Sequence, residues 1–312
     1  MDDACFSEGG RLLEKHFPPA NLNRTLTLPD GRVLGYAEFG CPDGRPVFYF
    51  HGFPACRLEG SFAHEPALAR GLRVIAPDRP GYGLSGFAPG RTIGDWGRDV
   101  EALADALGFS RFSAIGVSGG GPYLLSCAAH LHGRMDVAAL VCGLGPVAGR
   151  ALPREMIGVN RAFLGLSRSA PGLCRALFTL AMSRANRCPR RLMELLVRDT
   201  NGPDREAMDA DPRIVDMVVD CIYEAFRQGP RGPAHDLLLY GRPWDFSLSG
   251  IPMFIRMWHG EADVIVPAAL GRRVASLLPH RRALFVPREG HFSLVVRRLD
   301  EIMLAVAENN PA

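Results

Sequence analysis

The stretch Gly116-Val117-Ser118-Gly119-Gly120 lies between an apolar run, Phe112 to Val117, and a helix-like run, Pro122 to Leu131. This pattern predicts a sharp strand-to-helix turn, a nucleophile elbow, with Ser118 at its tip. Such a turn holds the serine in a strained backbone conformation, so only small residues fit two positions away on each side. Gly116 and Gly120 meet that requirement. A glycine-rich pentapeptide is also typical of an ordinary tight turn, so the rest of the chain must decide.

Two later segments supply the acid and the base that a serine nucleophile requires. An apolar run that ends at Trp258 leads into a loop containing Asp263, which places a carboxylate just beyond a predicted strand. A second apolar run ends at Val286 and is followed by His291, so an imidazole lies near the end of another strand. Because a hydroxyl is a weak nucleophile until a base removes its proton, we predict a triad of Ser118, His291 and Asp263.

Two further loops complete a resemblance to a known family. His51-Gly52-Phe53-Pro54 follows the strand-like run Val47 to Phe50, and Asp78-Arg79-Pro80-Gly81-Tyr82-Gly83-Leu84-Ser85 follows Val74 to Ala76. With the serine, aspartate and histidine segments, they make the chain resemble the α/β-hydrolase superfamily from about residue 50 to residue 293. The first loop resembles the oxyanion loop of that superfamily. The second is similar to a glycine-rich loop that is mainly structural there.

The resemblance implies an α/β fold: a mostly parallel sheet of eight strands with helices on both faces and an inserted helical cap. It also implies that the backbone N–H groups of Phe53 and Gly119 form the oxyanion hole. Ser118 would attack an acyl carbon, and His291 would pass the proton to the leaving alcohol and then activate water. This chemistry requires no metal and no organic cofactor, and its partner is a small-molecule acyl substrate.

Other polar residues near these motifs are interpreted as structural. Glu261 lies two residues before Asp263, but Asp263 stands where the superfamily places its acid, so we expect Glu261 to be a surface charge. We expect His51 and His259 to support loops through hydrogen bonds. Ser85 lacks a strand-to-helix setting and is interpreted as a turn residue.

The order of apolar runs predicts the positions of the sheet and the cap. Two such runs flank Pro29-Asp30-Gly31 as a β-hairpin. Strand-like and helix-like runs then alternate as far as Cys142, which indicates a parallel sheet covered on both faces. The helix-like runs lie near Ser61 to Ala69, Thr92 to Leu107 and Gly119 to Leu131. Strand signals cease after Cys142. We therefore predict a hydrolase core formed by residues 1–145 and 246–312, with a helical cap at residues 146–245.

The helical patterns of the cap place apolar side chains above the serine, where they would exclude water and line a pocket. The stretches with this periodicity are Met156 to Leu166, Gly172 to Met182, Arg190 to Arg198 and Ile214 to Phe226. The same side chains could instead pack the cap helices against one another. The predicted substrate-binding residues are Phe53, Met156, Phe163, Phe178, Met182, Met217 and Phe226.

These features predict hydrolysis of a small to medium, largely apolar carboxylic ester through an acyl-enzyme on Ser118. Hydrolysis of a lactone or of a carbon–carbon bond is an alternative, because the same triad serves both reactions. Haloalkane dehalogenases and epoxide hydrolases of the superfamily use an aspartate nucleophile, which Ser118 does not match. A ligand-binding receptor or scaffold on the same fold is the alternative from another functional class.

The composition agrees with a soluble enzyme. A chain of 312 residues, 47% hydrophobic and 22% charged, is long enough for one large α/β domain with an insertion. The net charge of +3 is too small to indicate a nucleic-acid partner, and no apolar run is long enough for integral membrane contact. The acidic start and the eight scattered cysteines favour a cytoplasmic, reducing location without a zinc site. The oligomeric state stays open.

Overall fold

A single sheet of eight strands organises the chain. The structure, a computed structural model, describes residues 21–185, 200 and 202–308. The strands are β1 (Asn21–Thr27), β2 (Val33–Gly40), β3 (Arg45–Phe50), β4 (Leu72–Pro77), β5 (Phe112–Val117), β6 (Met135–Val141), β7 (Ile255–Gly260) and β8 (Arg281–Val286). Their order across the sheet is β1-β2-β4-β3-β5-β6-β7-β8. The predicted fold class is confirmed.

The first two strands form the predicted hairpin. β1 pairs antiparallel with β2, and Gly31 in the turn between them has a φ of 83°, a left-handed conformation that favours glycine. β2 then pairs antiparallel with β4, whereas the pairings from β4 through to β8 are parallel. Parallel neighbours need long crossover connections, and helices provide most of them here.

The carboxyl ends of the parallel strands gather the predicted site residues at one edge of the sheet. β3 leads into the loop that contains Phe53, and β5 leads directly into Ser118. β7 leads into the loop with Asp263, and β8 into the loop with His291. Because parallel strands end at the same edge, segments that are far apart in the sequence converge there.

Helices cover both faces of the sheet. The α-helices of the described residues are α1 (His64–Leu68), α2 (Trp96–Ala106), α3 (Gly121–His130), α4 (Gly158–Ser169), α5 (Pro171–Ala185), α6 (Gly202–Ala210), α7 (Pro212–Ala225), α8 (Arg231–Gly241), α9 (Ala268–Leu277) and α10 (His291–Ala307). Along β5, Ala114 packs in one apolar core with Leu124 of α3. The next residue, Ile115, packs in a second core with Ile302 of α10. The alternation follows from the two-residue period of a strand.

The predicted helices outside the cap are present with shifted starts. The helix predicted from Thr92 to Leu107 begins only at Trp96. The backbone N–H and the hydroxyl of Thr92 both donate to Asp95 Oδ2, at 2.9 and 3.0 Å, so these residues form a capped turn before the helix. Within the cap, the helix predicted from Arg190 to Arg198 lies outside the described residues.

The helices α4 to α8 lie between β6 and β7, in the segment predicted as a cap. The sequence pattern does not predict α6 or α8. α6 is short and polar. α8 carries Pro233 in its first turn, where proline is tolerated because backbone N–H groups there make no hydrogen bond within the helix. α6 packs against α10, and α7 packs against a 3-10 turn at Arg57–Ala63. The cap boundaries at residues 146 and 245 stay a prediction.

No helix among the described residues combines the length and the apolar character needed to cross a membrane.

Candidate active site

The turn at Ser118 has the backbone conformation that a nucleophile elbow requires. Its φ is 52°, in the left-handed region that residues other than glycine seldom adopt. A Cβ atom on Gly116 would lie 2.6 Å from Leu124 Cβ, and a Cβ atom on Gly120 would collide with the carbonyl oxygen of Phe50. Both positions therefore require glycine. The helix α3 follows at once, so the N–H groups of its first turn add positive potential near the serine.

A short hydrogen bond joins His291 to Asp263. His291 Nδ1 donates to Asp263 Oδ2 at 2.7 Å, and both side chains are buried. The backbone N–H groups of Ile265 and Val266 donate to the other carboxylate oxygen at 2.9 and 2.8 Å. The carboxylate is thus fixed in place, and it can hold the imidazole with Nε2 available for proton transfer. Ser118 and His291 line the same cavity, and no hydrogen bond to a described residue occupies Ser118 Oγ.

Glu261 points away from this pair. Its carboxylate contacts Arg272 at 2.7 Å, and about half of each side chain is exposed, at 43% and 54%. His259 Nε2 donates to the carbonyl oxygen of Val266 at 2.7 Å, and His51 Nε2 accepts from the backbone N–H of Arg79 at 3.2 Å. Both histidines are hydrogen-bonded to loop backbone, in the arrangement expected of loop supports.

Asp204, a residue that the sequence analysis does not single out, supports the histidine from the cap. It lies on α6 and is completely buried. Its carboxylate accepts from the backbone N–H groups of His291, Phe292 and Ser293, at 3.0, 2.9 and 2.9 Å. These N–H groups are the unpaired donors of the first turn of α10, which begins at His291. A cap carboxylate therefore caps the helix that carries the imidazole.

The carboxylates around His291 control its protonation. Burial by itself would lower the pKa of the imidazole, because it removes water from the charged form. Asp263, Asp204 and Glu59 stabilise the imidazolium, and together they raise the pKa of His291 above its ordinary value. A protonated His291 is thus stabilised by the site, as a base that accepts a proton requires.

The two predicted oxyanion donors lie close together. A Cβ atom on Gly119 would lie 2.6 Å from Phe53 Cβ and 3.3 Å from the backbone nitrogen of Phe53. The hydroxyl of Tyr240, on α8, donates to the carbonyl oxygen of Gly119 at 2.9 Å. This bond occupies the carbonyl oxygen of Gly119 and ties the turn after Ser118 to α8.

A buried polar cluster holds the loop that carries Phe53. Asp236 of α8 is completely buried and accepts from Arg79 Nε at 2.7 Å and from Arg91. Arg79, also completely buried, donates onward to the carbonyl oxygens of His51 and Gly52. Asp236 also accepts hydrogen bonds from the hydroxyls of Tyr82 and Tyr123 at 2.8 and 2.6 Å.

The ion pairs determine the charge state of this cluster. Burial would raise the pKa of Asp236, but Arg91 and Arg79 outweigh burial and hold the pKa below its ordinary value. The carboxylate therefore stays ionised between two guanidinium groups. Through Arg79, the charged carboxylate on α8 fixes the backbone next to Phe53.

An apolar cavity of about 230 Å³ opens onto Ser118. Four of the predicted substrate-binding residues line it: Phe53, Phe163, Phe178 and Met182. The polar lining residues include Glu59, Asn160, Tyr240 and His291. Among the described residues around the cavity, no lysine or arginine takes part in the lining. Within the described lining, Glu59 supplies the carboxyl group, and most of the other side chains are apolar.

Three predicted substrate-binding residues do not line the cavity, and this corrects the sequence analysis. Met156 is buried in the core at 2% exposure. Met217 lies outside the face of α7 that lines the cavity, which is formed by Ile214, Val218, Cys221 and Ile222. Phe226 packs behind Phe178, with the ring centroids 6.5 Å apart. In all three cases the apolar side chain packs the cap, which periodicity cannot distinguish from lining a pocket.

One group of side chains in the described residues has the spacing of metal ligands. Atoms of Cys142, Asp263 and His291 lie within 4.8 Å of one another. Two of these atoms, His291 Nδ1 and Asp263 Oδ2, are already joined by the 2.7 Å hydrogen bond. The hydrogen bond between His291 and Asp263 therefore accounts for this close spacing, and no metal is needed to explain it.

The chain matches one family over most of its length. The model described as "Alpha/beta hydrolase family" matches residues 47–303. A dihydrolipoyllysine-residue acetyltransferase component of an acetoin cleaving system from Pseudomonas putida is 35% identical over 265 residues, 84% of this chain and 62% of that protein. A non-heme chloroperoxidase from Streptomyces lividans is 33% identical over 153 residues, 46% of this chain and 55% of that protein.

A bifunctional esterase/perhydrolase from Acinetobacter calcoaceticus is 23% identical over 282 residues, 85% of this chain and 92% of that protein. The match spans only 39% to 62% of the length of four of the curated relatives.

Solved structures share the fold. An enol-lactonase from Burkholderia xenovorans LB400 has a TM-score of 0.67 at 19% identity, covering 92% of this chain and 99% of that one. An esterase from Thermogutta terrifontis has a TM-score of 0.64 at 21% identity, covering 92% and 97%. At these identities the likeness concerns the fold alone.

Proposed function

The chain belongs to the alpha/beta hydrolase family, and we propose that it hydrolyses a small to medium, largely apolar carboxylic ester through an acyl-enzyme on Ser118. One observation carries the proposal. The strained Ser118 and the His291 that is hydrogen-bonded to Asp263 at 2.7 Å line the same apolar cavity. The name of the Acinetobacter calcoaceticus relative, a bifunctional esterase/perhydrolase, supports ester cleavage.

In the first half-reaction, Ser118 Oγ attacks the carbonyl carbon while His291 Nε2 accepts the hydroxyl proton. Asp263 accepts a hydrogen bond from the Nδ1–H group of His291 and stabilises the imidazolium that forms. The tetrahedral intermediate collapses when His291 donates its proton to the leaving alkoxide, which departs as the alcohol. The acyl group stays on Ser118.

In the second half-reaction, His291 Nε2 accepts a proton from water, and the hydroxide equivalent attacks the acyl carbon. Collapse of this second intermediate releases the carboxylic acid and returns the proton to Ser118 Oγ. In both steps the backbone N–H groups of Phe53 and Gly119 stabilise the oxyanion, an effect worth about 2.7–4 kcal/mol per donor.

The experiment compares the wild-type protein with Ser118→Ala on p-nitrophenyl acetate and p-nitrophenyl butyrate. We expect hydrolysis by the wild type, loss of at least about a thousandfold in kcat in the variant, and labelling of the wild type alone by a fluorophosphonate. The control is Ser249→Ala, which removes an exposed hydroxyl that does not line the cavity. Equal rates for wild type and Ser118→Ala, without labelling, would show that the proposal is wrong.

A substrate panel distinguishes the bond that is cleaved. Methyl esters, γ- and δ-lactones and a 1,3-diketone are incubated with the wild type and with Ser118→Ala, and the products are identified by mass spectrometry. We expect Ser118-dependent turnover to be fastest with the esters. Turnover confined to the lactones or to the diketone would replace ester hydrolysis with the corresponding activity.

A further inference from the structure

Glu59 is a carboxyl group on the cavity wall that takes no part in the proton transfers of the proposed mechanism. It lies in the 3-10 turn Arg57–Ala63, just after the loop that carries Phe53. The backbone N–H of Gly52 donates to Glu59 Oε2 at 2.6 Å. The hydroxyl of Tyr49 donates to Oε1 over a longer distance, 3.4 Å. One carboxyl oxygen is therefore well satisfied, and the other retains hydrogen-bonding capacity.

This carboxyl group lies close to the nucleophile. A Cβ atom on Gly52 would lie 3.4 Å from Glu59 Oε2, 3.5 Å from Oε1 and 3.5 Å from Ser118 Cβ. The space that a side chain at residue 52 would occupy therefore lies between the Glu59 carboxyl group and Ser118. A substrate whose carbonyl carbon is at Ser118 Oγ would have Glu59 beside the atoms a few bonds away.

Three other polar side chains on the cavity wall already have partners. His291 is bonded to Asp263, the hydroxyl of Tyr240 donates to the Gly119 carbonyl, and the amide of Asn160 donates to the Ile265 carbonyl at 3.5 Å. Within the described lining, Glu59 is the acidic side chain that faces an otherwise apolar space. Its Oε1 oxygen is held by the long bond from Tyr49, so it can accept a further hydrogen bond from a substrate.

The groups around Glu59 bring its titration into the neutral range. Burial raises the pKa of Glu59 to about 7, and the Gly52 N–H, Arg79, Tyr49 and His291 oppose the rise only in part. Gly52 lies in the oxyanion loop, Arg79 in the loop after β4, Tyr49 on β3 and His291 on α10. The Cys221 thiol faces the carboxyl group from α7. At neutral pH both protonation states are populated, so the group can accept or donate a hydrogen bond.

We propose that Glu59 is a specificity-determining residue that hydrogen-bonds a hydroxyl group carried by the substrate a few bonds from the reacting carbonyl. The inference rests on the proposed function and adds a substrate class, the hydroxy-substituted carboxylic ester. A hydroxyl group both donates and accepts, so it matches either state of Glu59. A substrate carboxylate would be repelled, since no lysine or arginine of the described lining balances it.

The test uses three methyl esters of similar size: methyl butanoate, methyl 3-hydroxybutanoate and monomethyl succinate. Their kcat/KM values are measured by pH-stat titration with the wild type and with Glu59→Gln. Glutamine keeps an oxygen acceptor for the Gly52 N–H but cannot ionise. We expect the wild type to prefer the hydroxy ester over methyl butanoate, and Glu59→Gln to reduce that preference about tenfold. The same variant should increase the relative rate with monomethyl succinate.

A pH series tests the proposal in the wild type alone. As pH rises through about 7, Glu59 loses its proton, so discrimination against monomethyl succinate relative to methyl butanoate should increase. The ratio should stay flat in Glu59→Gln. A purely structural role for Glu59 would leave the ratio unchanged with pH.

Three results would overturn the inference while leaving ester hydrolysis intact. In the first, the wild type shows no preference for the hydroxy ester. In the second, Glu59→Gln slows all three esters equally. In the third, the ratio of kcat/KM for monomethyl succinate and methyl butanoate does not change with pH. If no ester is hydrolysed and the fluorophosphonate does not label Ser118, the proposed function fails and this inference fails with it.

Discussion

Two buried aspartates on cap helices hold opposite sides of the candidate site by different means. Asp204, on α6, accepts three backbone N–H groups at the start of α10, beside His291. Asp236, on α8, pairs with Arg79 and Arg91, and Arg79 in turn holds the loop next to Phe53. On the base side, peptide dipoles balance the aspartate charge. On the oxyanion side, two guanidinium groups do so.

This difference determines what each aspartate controls. The N–H groups around Asp204 can be satisfied by any acceptor, so its charge acts mainly through space on His291. The guanidinium groups around Asp236 are completely or largely buried and need a formal negative charge. We therefore expect changes at Asp204 to appear in the pH dependence of activity, and changes at Asp236 to appear first in stability.

Asp204 and Asp236 both support a site in which Asp263 is the predicted acid. Replacing Asp263 therefore has the largest expected effect. Asp263→Asn cannot hold the imidazole in the same tautomer, so kcat should fall by about 10⁴. Glu261→Gln is the matched control, because Glu261 is exposed and contacts Arg272. Its kcat on p-nitrophenyl butyrate should stay within about twofold of the wild type. A larger loss in Glu261→Gln than in Asp263→Asn would reverse the assignment.

Asp236→Asn should destabilise the protein strongly, because it leaves Arg79 and Arg91 buried without a counter-charge. We expect a loss of about 3–5 kcal/mol in the free energy of unfolding. Urea denaturation followed by circular dichroism measures it. Asp209→Asn, an exposed aspartate on α6, is the control and should change stability by less than about 0.5 kcal/mol. Similar losses in the two variants would show that the buried cluster is not under electrostatic control.

Asp204→Asn should change the pH profile more than the fold. It removes a negative charge that raises the pKa of His291, so that pKa falls and neutral imidazole is available at lower pH. The acid limb of kcat/KM for an ester should therefore move to lower pH. The stability loss should be about 1–2 kcal/mol, typical of a weakened helix cap. An acid limb that stays in place would mean that Asp204 acts on the helix alone.

The smallest expected effect concerns the cavity wall. Met182 lines the cavity, whereas Met217 does not. Met182→Ala should shift the ratio of kcat/KM for p-nitrophenyl octanoate and p-nitrophenyl acetate by about threefold to tenfold in favour of the longer chain. Met217→Ala is the control and should leave the ratio unchanged. An equal shift in both variants would place Met217 in contact with substrate.

The sequence was informative where chemistry requires particular residues at particular places. Ser118 with its two flanking glycines, Asp263 and His291 could be located because each follows a recognisable apolar strand. The sequence was weak in the cap, since an apolar stripe has the same period whether it packs a helix or lines a cavity. Met156, Met217 and Phe226 were misplaced for this reason. The polar position Asp236, next to the run Leu237-Leu238-Leu239, was a signal of a buried charge that could have been used.

Local periodicity and turn chemistry encode the strands, the strained turn at Ser118 and the predicted positions of the acid and the base, so these could be inferred before the fold was known. The carboxylates that surround these residues come from distant segments and could be found only in the folded chain. Asp204 meets a backbone N–H 87 residues away, and Asp236 meets a guanidinium group 157 residues away. Glu59 comes beside Ser118 only because β3 and β5 are neighbours in the sheet. Such contacts depend on how elements pack across the chain, and no local pattern specifies them.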